Sequence, residues 1–473
     1  MLLPKMACVV LVLIATAIAL PAQTEKTLLS FDGADGASPE SQLVQGFDGN
    51  LYGTTVGGGL NSKGTVFKVT PAGVLSTLYS FCAQTSCADG ETPYAGLVQS
   101  SNGNFFGTTY QGGAHAVGTV FKITPGGALT TLYSFCSQTS CTDGESPVAG
   151  LVQASDGNFY GATTAGGTNS DGTIFRITPG GTLTTLHSFS GTDGRLAYGG
   201  LVQATNGSFY GTTARGGSND DGTVFKITPG GTFTSLHTFC IQSGCPDGFI
   251  PSNTLIQASD GNFYGTASEG GAIGYGTVFK ITAAGALTTL YSFCLQSNCT
   301  DGSLPSGTLV QAIDGNFYGT TANGGANLIH GTVFKLTPGG VLTTLYSFCS
   351  QTNCTDGSGA DGGVVQATSG TFYGTVGGGG TSNVGVIYSL AVGLHPFVET
   401  LPTSGKVGAT VIILGSNLTG ATAVTFNGIS ATFTPVSKSE IKATVPTGAT
   451  TGTVLVTTPG GTLKSNIKFR VTP

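Results

Sequence analysis

Gly118-Thr119-Val120-Phe121-Lys122-Ile123-Thr124-Pro125-Gly126-Gly127 is one copy of the phrase on which this chain is built. Copies begin at Gly64, Gly118, Gly172, Gly222, Gly276 and Gly331, and a degraded one, GVIYS, begins at Gly385. The spacings are 54, 54, 50, 54, 55 and 54 residues. A period this constant means that one supersecondary unit, unable to bury its apolar faces alone, is stacked against copies of itself.

From Gly150 the unit around Gly172 reads GLVQ-ASDG-NFYGATT-AGGTNSDG-TIFRITP-GG-TLTTLHSF. Four β-rich runs of four to eight residues, here strands a to d, are separated by glycine-bearing turns. SDGN and TPGG are connections of the short kind that joins antiparallel strands, and nothing in the unit has helical periodicity. Four antiparallel strands repeated seven times without polar capping repeats predict a ring, which needs no caps. The expected fold is all-β: a seven-bladed β-propeller of four-stranded blades.

The ends of the repeat region support closure. TLLSF at residues 27–31 matches the strand d phrase TLYSF at 77–81, and the last copy, ending on GVIYSL, has no strand d. The N-terminal strand is therefore expected to complete the last blade. A linear β-solenoid, the structural rival, calls for neither the orphan strand nor the hairpin turns. Val66 and Phe67 are neighbours and point opposite ways, as expected where each blade packs between two others.

The 473 residues allow two or three domains. The 78 glycines recur at fixed places between β-branched and aromatic runs, so they read as turns and not as disorder. At the start, Lys5 precedes an apolar run from Ala7 to Leu20, and Ala22 precedes Gln23. This is the pattern of a secretory signal peptide over residues 1–22, too short for a comfortable membrane span. The mature chain is expected without a membrane span, as a monomer that is secreted, extracellular or at the cell surface, with the periplasm as the alternative compartment. The formal net charge is −6 and the charged share only 8%. With no basic cluster, that excludes nucleic acid and anionic lipid as expected partners.

Apart from Cys8, the cysteines fall in five C-x4-C pairs: Cys82/Cys87, Cys136/Cys141, Cys240/Cys245, Cys294/Cys299 and Cys349/Cys354. The two d-to-a connections without a pair lack both members and are about four residues shorter. Joint presence or absence predicts loop-closing disulfides. A metal site is the rival, but each pair offers two thiolates and no histidine at ligand spacing. Closing so short a loop is worth about 2 kcal/mol, which makes these local staples.

After about residue 394 the phrase stops, and LPTSGKVGATVIILGSNL, TAVTFNG, ATFTPVSKSEIKATVPTG and GTVLVTTPGGTLKSN read as a small β-sandwich over residues 394–473. Pro402-Thr403-Ser404-Gly405, Val424-Thr425-Phe426-Asn427-Gly428, Ala443-Thr444-Val445-Pro446 and Thr457-Thr458-Pro459-Gly460-Gly461 resemble an IPT/TIG domain, an immunoglobulin-like module. The resemblance implies a spacer or binding module without catalysis. Within the expected propeller of residues 23–393, residues 27 to about 390, through LVQASDGNFYG at 151–161, a following Gly-Gly and GTVFKITPGG, resemble the Gloeo/Verruco tandem repeat of exported bacterial proteins. That resemblance brings no catalytic residues with it.

In a propeller the d-to-a and b-to-c connections share one face, and loops on a rigid scaffold are where binding is placed. The residue before each Gly-Gly pair varies among copies: Gly57, Gln111, Ala165, Arg215, Glu269, Asn323 and Gly378. Gln111, Arg215, Glu269 and Asn323, with Arg195 on the same face, are the candidate ligand-binding residues. Two neighbouring guanidinium groups suit a carboxylate or an acidic sugar. The competing reading is an unconstrained rim in which Arg215 and Glu269 pair.

Three further rings repeat. Lys68, Lys122, Arg176, Lys226, Lys280 and Lys335 are expected to pack their stems between blades and to pair with turn carboxylates, an anion-binding collar being the alternative. Those carboxylates, Asp35, Asp89, Asp143, Asp193, Asp247, Asp301 and Asp356, each precede a glycine and are expected to shape the turn, with calcium binding as the alternative. Gln45, Gln99, Gln153, Gln203, Gln257, Gln311 and Gln366 end strand a, either as a polar ring around the channel or as partners of backbone groups. The five histidines show no common place in the repeat. No nucleophile elbow, HExxH or phosphate loop occurs, so no catalytic, metal or cofactor site is expected. Glu91 and Glu145 remain acid–base candidates, and Tyr110 and Tyr275 candidates for stacking on a sugar.

The expected function is a non-catalytic extracellular binding or adhesion protein for a glycan or protein ligand. The alternatives are a secreted propeller enzyme acting on polysaccharide, and a structural surface or matrix component. A pocket with converging carboxylates on the loop face would favour the enzyme; a flat face would favour binding.

Overall fold

The computed structural model describes residues 23–472, and the signal-peptide expectation over 1–22 lies outside them. Apart from five single-turn 3-10 helices, every regular element of the described residues is a strand. No helix among them is long and apolar enough to cross a membrane.

Each of the first six copies folds into an antiparallel sheet in the order a-b-c-d, and in the sixth an extra strand, Ser303–Pro305, also pairs with strand b. In the third copy the strands are Val152–Gln153, Phe159–Thr163, Thr173–Ile177 and Leu183–Ser188. Strand c slips by one residue against strand d between Ile174 and Phe175, a bulge repeated in all six copies that adds local twist. Strand a is shorter than expected, because Gly150 and Leu151 leave the ladder and Leu151 enters the apolar core. Gly161 makes room for this: a Cβ there would lie 2.7 Å from the Phe175 ring and 2.8 Å from Leu151.

The N-terminal strand Thr24–Ser30 pairs antiparallel with strand c of the last copy, Val386–Ala391. Its register sets Glu25 against Leu390 and Ser30 against Val386, with the slip between Thr27 and Leu29. It occupies the place of the missing strand d, as the TLLSF match predicted.

The core is divided into wedges between successive copies. Phe106 and Phe135 of the second copy meet Phe159, Phe175 and Ile177 of the third. Ring pairs such as Phe106/Phe159, Tyr160/Phe209 and Tyr210/Phe263 stack at 4.0 Å. Every wedge carries at least one of two recurring hydrogen bonds. A strand b threonine donates to the carbonyl ahead of the next strand a: Thr54 to Ala95 (2.9 Å), Thr108 to Ala149 (3.2 Å) and Thr212 to Asn253 (3.0 Å). The glutamine ending strand a accepts from the preceding copy's a-to-b turn: Gln99 from Phe47 N–H (3.0 Å), Gln203 from Ser155 (2.9 Å), Gln257 from Thr205 (2.9 Å). Of the two readings of the glutamines, backbone satisfaction is the observed one.

The last copy meets the first through the same set. Tyr373 and Ile387 pack with Leu51 and Phe67. Thr375 Oγ1 donates to Ser41 O at 2.9 Å, and Gln45 accepts from Thr368 N–H at 2.9 Å.

Residues 399–472 form two four-stranded sheets around a separate core of Val411, Ile413, Val424, Phe426, Ile441, Val454, Val456 and Phe469. This sandwich touches the repeats at their a-to-b turns. Ser439 Oγ donates to Phe47 O at 2.7 Å, Phe397 N–H to Thr368 O at 3.0 Å, and the Arg470 guanidinium to Thr205 O.

Candidate functional site

In every copy the d-to-a loop bridges to the b-to-c loop, so these connections share a face as expected. The paired residues are Ala37/Gly57, Glu91/Gln111, Glu145/Ala165, Arg195/Arg215, Phe249/Glu269, Ser303/Asn323 and Ser358/Gly378.

All five expected disulfides staple this face: Cys82–Cys87, Cys136–Cys141, Cys240–Cys245, Cys294–Cys299 and Cys349–Cys354. Each closes a sequence separation of 5, a local staple as expected, and the backbone of the second cysteine reaches further. Cys299, at a φ of 51°, turns its carbonyl to accept from Gly302 N–H and from Gly325 N–H, both at 2.9 Å. It therefore ties its own d-to-a loop to the b-to-c loop that follows. Cys87, Cys141, Cys245 and Cys354 make the same pair of backbone bonds in their copies. The spacing argument against a metal also changes, because His330 lies within 4.8 Å of Cys349 and Cys354 although it is distant from them in the chain. Bonded to each other, those sulfurs offer no thiolate to an ion. Cys294 and Cys299 have no such third group among the described residues.

The repeated Asp-Gly aspartates shape these loops as turn residues, through phenols and backbone N–H groups and not through the strand c cations. Asp89 is buried; its Oδ2 accepts from the Tyr79 hydroxyl (2.7 Å) and Ala83 N–H (2.9 Å), and its Oδ1 from Gln84 N–H (3.1 Å). Asp143, Asp301 and Asp356 take the hydroxyls of Tyr133, Tyr291 and Tyr346 in the same way. Burial, and then the carboxylate, hold these phenols well above the usual tyrosine range. His187 and His237 stand where those tyrosines stand, with Nε2 2.9 Å from Asp193 and Asp247. Two histidines therefore do share a place in the repeat. The strand c cations do not reach these aspartates; among the described residues Lys280 alone of that ring forms an ion pair, with Asp260 of an a-to-b turn at 2.9 Å.

Of the candidate binding residues, Arg195 and Arg215 are brought together by their backbone bridge, with N···O distances of 2.9 and 3.1 Å. The Arg195 guanidinium is held bidentately by Asp220, whose carboxyl it pulls down to about 2. Arg215 and Glu269 form no ion pair among those of the described residues, so that expected surface bridge is absent. Gln111, Glu269 and Asn323 each bridge within their own copy and lie along the rim. Glu91 pairs with Lys63 at 2.6 Å. Arg195→Ala should cost at most about 1 kcal/mol, because its pair is open to solvent; a urea melt checks this.

The loops surround a cavity of about 480 Å³ that the sequence reading missed. Every copy contributes the residue five places ahead of its repeated glutamine: Glu40, Tyr94, Val148, Tyr198, Ser252, Ser306 and Asp361. The flanking phrase repeats while this position changes in size and charge, which is the signal that could have found it. The lining contains two carboxylates and no lysine, arginine or histidine. The sandwich contacts lie at the other ends of the a strands, beyond the glutamines.

Glu40 and Asp361 come from the first and last copies. Burial, then the charge of Asp361, push the Glu40 carboxyl up to about 7. Burial also raises Asp361, against a lowering hydrogen bond from Ser306. Asp361 reaches cavity water, yet protein walls surround it, so its charge is poorly solvated. Tyr94 packs edge-on against Tyr110 with ring centroids 5.6 Å apart. Burial, then the charge of Glu40, raise its phenol.

Because the folded state holds the Glu40 proton more tightly than the unfolded chain, this site's stability is complete below about pH 4.5 and is lost as pH rises through about 7. Glu40→Gln should be more stable than the parent by about 2 kcal/mol at pH 8 and unchanged at pH 4. Urea melts at both pH values check this.

Residues 16–207, 137–256 and 197–430 match the family described as Gloeobacter/Verrucomicrobia repeat, and residues 397–471 match the IPT/TIG domain. No curated protein matches the chain. A fungal alcohol oxidase of the AA5 family, solved in complex with copper, is similar in fold at 14% identity and a TM-score of 0.53, covering 95% of this chain and 99% of that one. The extracellular domain of a hybrid two-component system from B. thetaiotaomicron is similar at 10% identity and a TM-score of 0.50, covering 96% of this chain and 60% of that one.

Proposed function

The chain belongs to the Gloeobacter/Verrucomicrobia repeat family, and from that premise we propose that it is a secreted, non-catalytic glycan-binding protein whose ligand sits in the cavity between the seven copies. The architecture proposed with it is a closed seven-bladed β-propeller over residues 23–393, behind a signal peptide at 1–22 and ahead of an Ig-like sandwich at 394–473. The observation that carries the reading is the cavity itself, to which all seven copies present equivalent positions bearing unlike side chains. A ring would bring equivalent residues of a linear series around one space, which supports the reading. Its volume suits a sugar unit or two. Five disulfides agree with an oxidising compartment.

The test is retention of the oxidised chain on a panel of extracellular polysaccharides. Retention should be abolished by Val148→Trp, which fills the cavity, and kept by Arg215→Ala. Loss with Arg215→Ala alone would move the site to the rim, and no retention on any polysaccharide would sink the reading.

The carboxylate pair supports a second reading, acid–base cleavage of a glycosidic bond with Glu40 as the acid and Asp361 as the base. Release of reducing ends from a retained polysaccharide, lost in Glu40→Gln, would establish it; unchanged polymer length would exclude it.

A further inference from the structure

We propose that the cavity accepts a ligand bearing an organic ammonium group, seated between Glu40 and Asp361, with the ligand's body against Tyr94 and Tyr198. The inference rests on the reading of the cavity as the ligand seat.

The carboxylates in the cavity differ from the partnered ones of the loops and turns. Asp89 and Asp143 each take one phenol and two backbone N–H donors. Glu91, Asp220 and Asp260 each face a cationic side chain. Glu40 accepts no hydrogen bond from any described residue, Asp361 has only the Ser306 hydroxyl, and no basic side chain lines the space. Two poorly solvated carboxylates in adjacent copies, without a counter-ion, repel each other; a cation brought by a ligand relieves both at once. Two carboxylates and one hydroxyl are few for calcium, which takes six to eight oxygens. The tyrosines suit an organic cation better: Tyr94 is braced by Tyr110 and presents an aromatic wall beside Glu40, and Tyr198 is open to the cavity.

Binding of a cation requires ionised Glu40, so it should release a proton and tighten as pH rises. The titratable groups facing Glu40 are Asp361 and Tyr94, with Tyr110 behind Tyr94. The Tyr94 phenol, raised by burial and then by Glu40, stays neutral across this range, which leaves the two carboxyls to set the profile.

Calorimetry on the full mature chain would use two matched pairs of probes. Choline is compared with 3,3-dimethylbutan-1-ol, which has the same shape without charge, and the β-1,4 glucosamine disaccharide with cellobiose. The expected result is at least about tenfold tighter binding of each cation, with choline affinity rising about tenfold from pH 5.5 to 7.5. Glu40→Gln/Asp361→Asn should abolish the preference; both changes are isosteric and relieve repulsion, so the fold is retained. Equal binding of the members of each pair, or a preference that survives the double variant, overturns the proposal while leaving the cavity as a ligand seat. If no probe binds and no polysaccharide is retained, both readings fall together.

Discussion

A chain lacking residues 24–31 should yield no folded monomer, whereas every single loop substitution on the rim should. The segment supplies the outer strand of the sheet that joins the two ends of the repeat region, pairing from Glu25/Leu390 to Ser30/Val386. Phe31 follows it, fully buried, with its ring 5.3 Å from that of Phe67. Phe31→Ala alone should cost about 3–5 kcal/mol for lost transfer energy and the cavity left behind. Removing the strand as well uncovers Ile387 and leaves strand c of the last copy as an unpaired edge. The sum approaches the entire stability of an ordinary domain, about 5–15 kcal/mol. Circular dichroism and gel filtration of the truncated chain check this, and a peptide of residues 24–34 added in trans should restore the monomer by occupying the vacant edge. A truncated chain melting within a few degrees of the full one would refute closure by this strand.

Asp143→Ala should destabilise more than removal of the disulfide beside it. Asp143 is fully buried and accepts from the Tyr133 hydroxyl at 2.7 Å, Ser137 N–H at 2.9 Å and Gln138 N–H at 3.2 Å. Truncation leaves three donors without their shared, buried acceptor, costing about 3 kcal/mol. Opening Cys136–Cys141 frees a loop of sequence separation 5, worth about 2 kcal/mol. Urea melts of Asp143→Ala and of Cys136→Ser/Cys141→Ser, both under oxidising conditions, give the comparison. A larger loss in the cysteine variant would show that the disulfide, not the carboxylate, orders the loop.

The division between sequence and structure follows from what repeats. The phrase from Gly118 to Gly127 carries its own turns and its own alternation, so strand order, hairpin polarity and the orphan first strand were legible without coordinates. Paired cysteines report on each other across only four residues, so the disulfides were legible too. The backbone tie that Cys299 makes to Gly325 was not, because its partner lies on the far side of strands a and b. The turn role of the aspartates was legible, but their phenol partners were not: Tyr79 is ten residues before Asp89, and only the c-to-d register and the folded loop bring them together. The equivalence of His187 and His237 with those tyrosines was legible in the strand d phrase, where TLHSF and SLHTF stand for TLYSF; only their bonds to Asp193 and Asp247 needed the fold.

The candidate rim residues were chosen because they vary, and variation at one loop position says nothing about convergence. Glu40 and Asp361 vary at their own position just as openly, but 321 residues separate them in the chain. By itself the sequence determined the unit, its strand order and its staples, because those depend on interactions within one period of 54 residues. Only the tertiary structure decided which seven residues face one cavity and which carboxylates lack partners, because both depend on how the last copy meets the first.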